Sequence, residues 1–168
     1  MNEKSELLEF LEKQGGALMS FAMSMLGNRA EAEDACQDMV AQMLKHWEAV
    51  DDDQNLKSWA FTILYRKCLD QLKKRRRFLG FFRTASEFYQ EAEREQNKKT
   101  LKEYGLDSLL GRLKPREKSC LLLWAQEGYN TEEIARIMNC APGTVRVHLF
   151  QARKKLKKMV EKSDEKKD

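Results

Sequence analysis

An all-α protein made of two small helical modules is what this sequence predicts, and three observations carry the prediction. Apolar residues recur at helical spacing along most of the chain, with no convincing alternating strand. Only two prolines and eight glycines punctuate the 168 residues. A polar stretch over residues 81–105 lacks a sustained apolar seam and reads as a linker. It divides a module over residues 1–80 from a second over residues 106–160, leaving residues 161–168 as a disordered tail.

In the first module, Leu7 to Leu26 reads as a helix with Leu7, Leu8, Leu11, Leu18, Phe21, Ala22, Met25 and Leu26 as its apolar set. The Gly15-Gly16 pair is expected to kink or interrupt it, and Gly27 to cap its end. Arg29 to Val50 is the most regular element. Ala32, Ala35, Cys36, Met39, Val40, Met43, Leu44 and Trp47 form its seam, while Asp34, Gln37 and Asp38 share the opposite, polar face. After the polar loop Asp51 to Asn55, a third helix runs from Leu56 to about Arg77. Its core candidates are Leu56, Ala60, Ile63, Leu64, Cys68, Leu69 and Leu72. Trp59, Phe61 and Tyr65 are interleaved with Lys57, Arg66 and Lys67, and the helix closes on Lys73-Lys74-Arg75-Arg76-Arg77. Such consecutive cations repel one another, and phosphates relieve that repulsion. Aromatic rings beside cations also suit the stacking of unpaired bases. The alternative stays open that the aromatics are core and the basic run a solvated helix end.

The second module opens at Leu106 to Leu113, and a helix then starts at Pro115 and ends by Gly128. Asn130 to Leu156 has the pattern of a helix-turn-helix. Thr131 to Met138 is a short amphipathic helix with Thr131 as its expected N-cap, Asn139-Cys140-Ala141 the turn, and Pro142 the first residue of the next helix. Val145, Leu149, Ala152 and Leu156 make one apolar stripe on that helix. The other face carries Val147, Phe150, Gln151 and Lys154, flanked by Arg146 and Arg153. A polar, basic helix face turned away from its own core is what the DNA major groove admits. An ordinary solvated face is the competing reading, and Phe150 argues against it, because a large aromatic opposite the core stripe calls for a partner surface such as a thymine methyl.

Composition narrows the function classes. The net charge of +4 is modest against 31 basic and 27 acidic residues, so placement of charge matters more than its total. No apolar run approaches a bilayer span, and the N-terminus carries no signal peptide, which predicts a cytoplasmic protein without membrane insertion. Cys36, Cys68, Cys120 and Cys140 lack metal-knuckle spacing and read as reduced, packed thiols. Phosphate-loop, nucleophile-elbow and paired-carboxylate signatures are missing, so no enzyme and no cofactor are expected.

Taken in order, these pieces resemble one family. In the first module they are Leu26-Gly27-Asn28, Ala30-Glu31-Ala32-Glu33-Asp34-Ala35, Gln37-Asp38, Trp47, Trp59 and Asp70 before the basic run. In the second they are Leu113-Lys114-Pro115-Arg116-Glu117, Leu121-Leu122-Leu123, Glu127-Gly128-Tyr129, Glu132-Glu133-Ile134-Ala135, Gly143-Thr144-Val145-Arg146 and Gln151-Ala152-Arg153-Lys154-Lys155-Leu156. Across nearly all of residues 15–158, the chain resembles the extracytoplasmic-function sigma factors of bacterial RNA polymerase.

The resemblance implies a sigma region 2-like module, a sigma region 4-like module, and promoter-specific transcription initiation. It implies that Asp34, Gln37 and Asp38 bind the clamp helices of the largest subunit of core RNA polymerase. It places the minus-ten element of promoter DNA against Asp52, Asp53, Gln54, Asn55, Trp59, Thr62 and Arg66, with Lys73, Lys74, Arg75 and Arg76 nearby. Holding an extruded base there would stabilise the melted strands without ATP. Glu91, Glu93 and Glu95 in the linker would present RNA-like negative charge near the active centre. The second module would bind the flap of the second-largest subunit and read the minus-thirty-five element. Arg146, His148, Phe150 and Gln151 are its base-contact candidates, and Thr144, Arg153, Lys154 and Lys155 its phosphate contacts. An anti-sigma factor is the further partner implied. Arg66 departs from the family's usual Asn, Ala141 from a frequent Ser, and His148 and Gln151 from frequent Arg. Two readings from other classes compete: a stand-alone helix-turn-helix regulator, and an interaction module that sequesters a regulator without touching DNA.

Overall fold

The computed structural model describes residues 3–50, 55–81 and 106–166. Among them the chain is helical, without a strand: α1 (Glu3–Leu26), α2 (Arg29–Lys45), a 3₁₀ turn (Trp47–Ala49), α3 (Leu56–Phe81), α4 (Leu106–Leu110), α5 (Pro115–Ala125), α6 (Thr131–Met138) and α7 (Pro142–Glu165).

The first module is a three-helix bundle in which each of α1, α2 and α3 packs on the other two. Leu18, Phe21, Ala22 and Met25 of α1 meet Ala32, Ala35, Met39 and Met43 of α2 and Ala60, Phe61, Leu64 and Cys68 of α3 in its core. Gly27 adopts a left-handed conformation (φ 63°) that ends α1. The next helix starts at once, with the Asn28 side chain accepting the Glu31 N–H. Arg75 locks α3 to this corner, donating to the Leu26 carbonyl at 2.7 Å and to the Glu31 carboxylate.

Several details differ from the sequence expectations. α1 is one helix across Gly15-Gly16 without interruption, because buried residues on either side anchor it. α2 stops at Lys45 rather than Val50; His46 takes φ −110° and ψ 14°, and Trp47 then turns to pack on Trp59 at a ring separation of 6.5 Å. α3 carries on past Arg77 to Phe81, into the segment assigned to the linker. α7 extends to Glu165, so most of the expected disordered tail is helix; Lys157 reaches Glu161 at 4.0 Å and Ser163 donates to the Met159 carbonyl. Leu8 and Leu44, both expected in the core, are exposed.

In the second module, α5 and α6 both pack on α7. Asn130, not Thr131, is the N-cap of α6. Its side chain accepts the Glu133 N–H at 2.9 Å and its own N–H reaches the Glu133 carboxylate at 2.8 Å, a reciprocal capping box. Asn139 then enters the left-handed region (φ 52°), which turns the chain into α7.

The modules are not separate beads. α6 packs along α3, α5 touches α1, and the buried residues of both modules belong to one core. Phe61 bridges them, lying edge-on to Phe21 at 5.5 Å and to Tyr129 at 6.1 Å. Lys57 pairs with the Glu127 carboxylate at 2.9 Å, and Lys118 donates to the Ser24 carbonyl at 2.8 Å. Ser119, fully buried, donates to the Pro115 carbonyl and sits 3.2 Å from the Met25 sulfur.

Candidate nucleic-acid interface

The recognition helix of a helix-turn-helix must bury one stripe and expose the other, and α7 does so. Val145, Leu149 and Ala152 are buried, with Leu156 half-buried behind them. Val147 and Phe150 stand 58% and 62% exposed on the opposite side. Arg146, Arg153 and Lys154 are exposed around them, and Thr144 is exposed near the helix start. Pro142 opens this helix after Ala141, which offers no side-chain cap. The arrangement is a projecting aromatic ringed by cations, which can meet a thymine methyl and the phosphates beside it.

Three candidates on this helix have partners within the chain, and the first, Arg146, reaches the exposed Glu132 carboxylate at 3.5 Å. Arg153 stacks on the exposed Trp124 ring at 4.2 Å, which orients its guanidinium while leaving it open to solvent. Lys155 is committed inward: its ammonium meets both oxygens of the nearly buried Glu117 carboxylate at 2.8 and 2.9 Å. An internal ion pair thus takes the charge that sequence reasoning assigned to phosphate. His148 is half-buried and turns toward the first module, whereas Gln151 is half-buried on α7. Burial, with the nearby Arg116 and Lys114 cations, holds the His148 imidazole below its ordinary pKa.

In the first module, Asp34, Gln37 and Asp38 all lie exposed on α2, opposite its buried Ala35 and Met39. Asp38 also borders a surface depression of about 220 Å³ shared with Lys67, Asp70, Gln71, Lys74 and Arg77. At the start of α3, the Asn55 side chain accepts the Ser58 N–H and so serves as a helix cap. Trp59 is half-buried, Thr62 donates to the Ser58 carbonyl at 2.8 Å, and Arg66 is exposed. Phe61 and Tyr65, interleaved with the cations in sequence, are core residues. Lys73, Lys74 and Arg76 are exposed, whereas Arg75 is bound to Glu31. Asp52, Asp53, Gln54, Glu91, Glu93 and Glu95 lie outside the described residues.

One feature escaped sequence reasoning. Between the modules lies a cleft of about 410 Å³, with Leu69, Leu72, Lys73 and Arg76 of α3 on one wall. Lys114, Pro115 and Arg116, where α5 begins, and His148 of α7 form the other. The available signal was the Glu117-Lys118-Ser119 run at the start of α5. All three side chains are buried; Glu117 is satisfied by Lys155 within the module, whereas Lys118 and Ser119 meet Ser24 and Met25 of the first module.

Comparison with known proteins fits this geometry. A sigma-70 region 2 model matches residues 10–78, and a sigma-70 region 4 model matches residues 105–156. The ECF RNA polymerase sigma factor EcfG of Rhodopseudomonas palustris (strain TIE-1) is 30% identical over 142 residues, covering 83% of this chain and 77% of that protein. This chain belongs to the extracytoplasmic-function sigma factors. RNA polymerase sigma factor SigV of Bacillus subtilis (strain 168) is 29% identical over 143 residues, 85% of this sigma factor and 84% of that one. Among solved structures, the sigma factor RpoE in complex with the anti-sigma factor NepR from Bartonella quintana superposes with a TM-score of 0.68 at 25% identity, covering 94% and 96% of the two chains. CnrH, in complex with the cytosolic domain of CnrY, shares the fold at a TM-score of 0.67 and 22% identity, covering 94% of this chain and 89% of that one. The sigma factor therefore acts in promoter-specific transcription initiation, through RNA polymerase and DNA and without being an enzyme. No helix among its described residues is long and apolar enough to cross a membrane.

Proposed function

We propose that the two exposed surfaces divide the work of initiation. The acidic face of α2, Asp34, Gln37 and Asp38, docks on the clamp helices of the largest polymerase subunit in the cytoplasm. The residues from Asp52 to Asn55, with Trp59, Thr62, Arg66 and the cations Lys73, Lys74 and Arg76, hold the opened minus-ten element. The outer face of α7 reads the minus-thirty-five element through Arg146, Phe150 and Gln151, with Thr144, Arg153 and Lys154 on phosphates; the second module also binds the flap. The observation that carries this reading is Phe150, 62% exposed within a ring of cations on the second helix of a helix-turn-helix.

The packed arrangement of the modules is then the form not engaged on a promoter. The two promoter elements lie about 25 base pairs apart, about 85 Å along B-DNA. A compact chain of this length is only about 40 Å across. The modules must part for both elements to be held at once. An anti-sigma factor that favours the packed form would keep the protein inactive; a partner of this kind, NepR, is bound to RpoE of Bartonella quintana in its solved structure.

The test is run-off transcription with bacterial core polymerase, the purified chain and sheared genomic DNA. Discrete new transcripts that vanish when Asp34, Gln37 and Asp38 are all changed to Ala support the division of surfaces. Absence of transcripts together with absence of core binding, in a preparation free of co-purified protein, would favour the stand-alone regulator.

A further inference from the structure

The cleft between the modules has a chemistry of its own. Four cations, Lys73, Arg76, Lys114 and Arg116, and the His148 ring border it, and no carboxylate is among its lining residues. Among the described residues, none of the four cations has an ion-pair partner. Glu117, next to Arg116, is already held by Lys155 and by the Lys114 backbone N–H. Its apolar lining is made by the two leucines of α3 and Pro115. α5 also begins here, with Pro115 in its first turn and the Lys114 N–H donated to the Glu117 carboxylate. Glu117 offsets only part of the cleft's charge, since its carboxylate is shared with Lys155; the four cations that remain on the cleft repel one another, and a multivalent anion would remove that repulsion. The volume lies within the range of small-ligand clefts, roughly 300–1,000 Å³.

We propose that this cleft binds a compact polyphosphate anion, whose phosphates bridge Lys73 and Arg76 of one module to Lys114 and Arg116 of the other. Because the ligand contacts both modules, it stabilises the packed form by mass action and opposes the parting that promoter engagement requires. Arginine offers its planar fork to phosphate oxygens, and the lysines act as point charges beside it. The binding step concerns the free chain alone, so it stands or falls separately from the assignment of the polymerase and promoter surfaces.

Isothermal titration calorimetry of the full free chain, at low salt and without magnesium, tests this with inorganic tripolyphosphate and with ATP as probes. Saturable binding of one anion per chain is expected. Arg116→Ala and Lys114→Ala should each weaken it about tenfold, the size of one lost charge-assisted contact. Lys158→Ala, which removes an exposed charge from the far part of α7, should leave it unchanged. Tighter ATP than tripolyphosphate assigns the apolar lining to a nucleobase, and equal or weaker ATP assigns the site to inorganic polyphosphate. The proposal is overturned if neither probe saturates, if Lys158→Ala weakens binding as much as Arg116→Ala, or if only a glutamate-rich peptide binds.

Discussion

Glu117 and His148 sit near each other at the junction, and both titrate against folding in acid. Burial by itself would raise the Glu117 carboxyl, but hydrogen bonds from Lys155 and the Lys114 N–H, with both ammonium charges, outweigh it and hold the group below its ordinary pKa of 4.5. Its contribution to stability is therefore complete above 4.5 and is lost as pH falls through the folded value. His148 is a base held below 6.5, so the unfolded chain binds its proton more readily than the folded chain. That stability is present above 6.5 and declines as pH drops toward the folded value. Urea unfolding across pH should thus show a first decline just below 6.5, absent in His148→Gln, and a second below 4.5. Phe150 makes the opposite case. With 62% of its surface in solvent, Phe150→Ala should change stability by no more than about 0.5 kcal/mol, while weakening minus-thirty-five duplex binding in an anisotropy assay. Equal binding by the variant would remove Phe150 from the base contacts. Gln151, if it reads adenine, should lose single-base preference in Gln151→Ala without losing salt-dependent affinity. Asn130→Ala removes the α6 cap and should cost about 1 kcal/mol in thermal unfolding, a loss that Thr131→Ala should not reproduce.

Helix termini show where local signals suffice and where packing overrides them. The stripe of α7 was legible because Val145, Leu149 and Ala152 repeat at helical spacing and nothing competes with them. The end of α2 was not, because Trp47, just after the turn at His46, meets Trp59 of the next helix, a contact that helical spacing within α2 does not encode. α1 is the clearest override: Gly15-Gly16 lowers intrinsic helicity, but Leu7 before it and Leu18 and Phe21 after it are buried and hold one axis. Nothing lies within 4 Å of a Cβ added at either glycine. Gly15→Ala and Gly16→Ala should each therefore raise stability by about 0.5–1 kcal/mol, read as a higher melting temperature. Gly27→Ala should do the reverse, since its φ of 63° suits glycine. A fall in melting temperature for both α1 variants would mean that helix propensity does not limit stability at this pair.

For the molecule as a whole, the decisive feature is the junction of α3 with α5 and α6. Glu127 is 9% exposed where it meets Lys57 across that junction, beside the Phe61 and Tyr129 rings. Glu127→Lys would set two ammonium groups against each other and should weaken the junction by about 1–3 kcal/mol. Small-angle scattering should then report a larger radius of gyration, while helix content stays as in the parent chain. An unchanged radius would show that the apolar contact holds the modules without the ion pair. If the packed form is the one that cannot span a promoter, the same variant should also initiate transcription at a lower sigma concentration.

The helical class, both modules and the exposed face of the recognition helix followed from periodicity, caps and breakers, because those signals act over a few neighbouring residues. The acidic face of α2 was legible for the same reason. The closure of one module on the other was not, since it depends on surfaces more than 50 residues apart in sequence, such as Lys57 and Glu127. Nor was the inward turn of Lys155 and His148. A cation on a helix points to solvent, to DNA or to a buried carboxylate with the same local pattern, and only the partner brought near by tertiary packing selects among them.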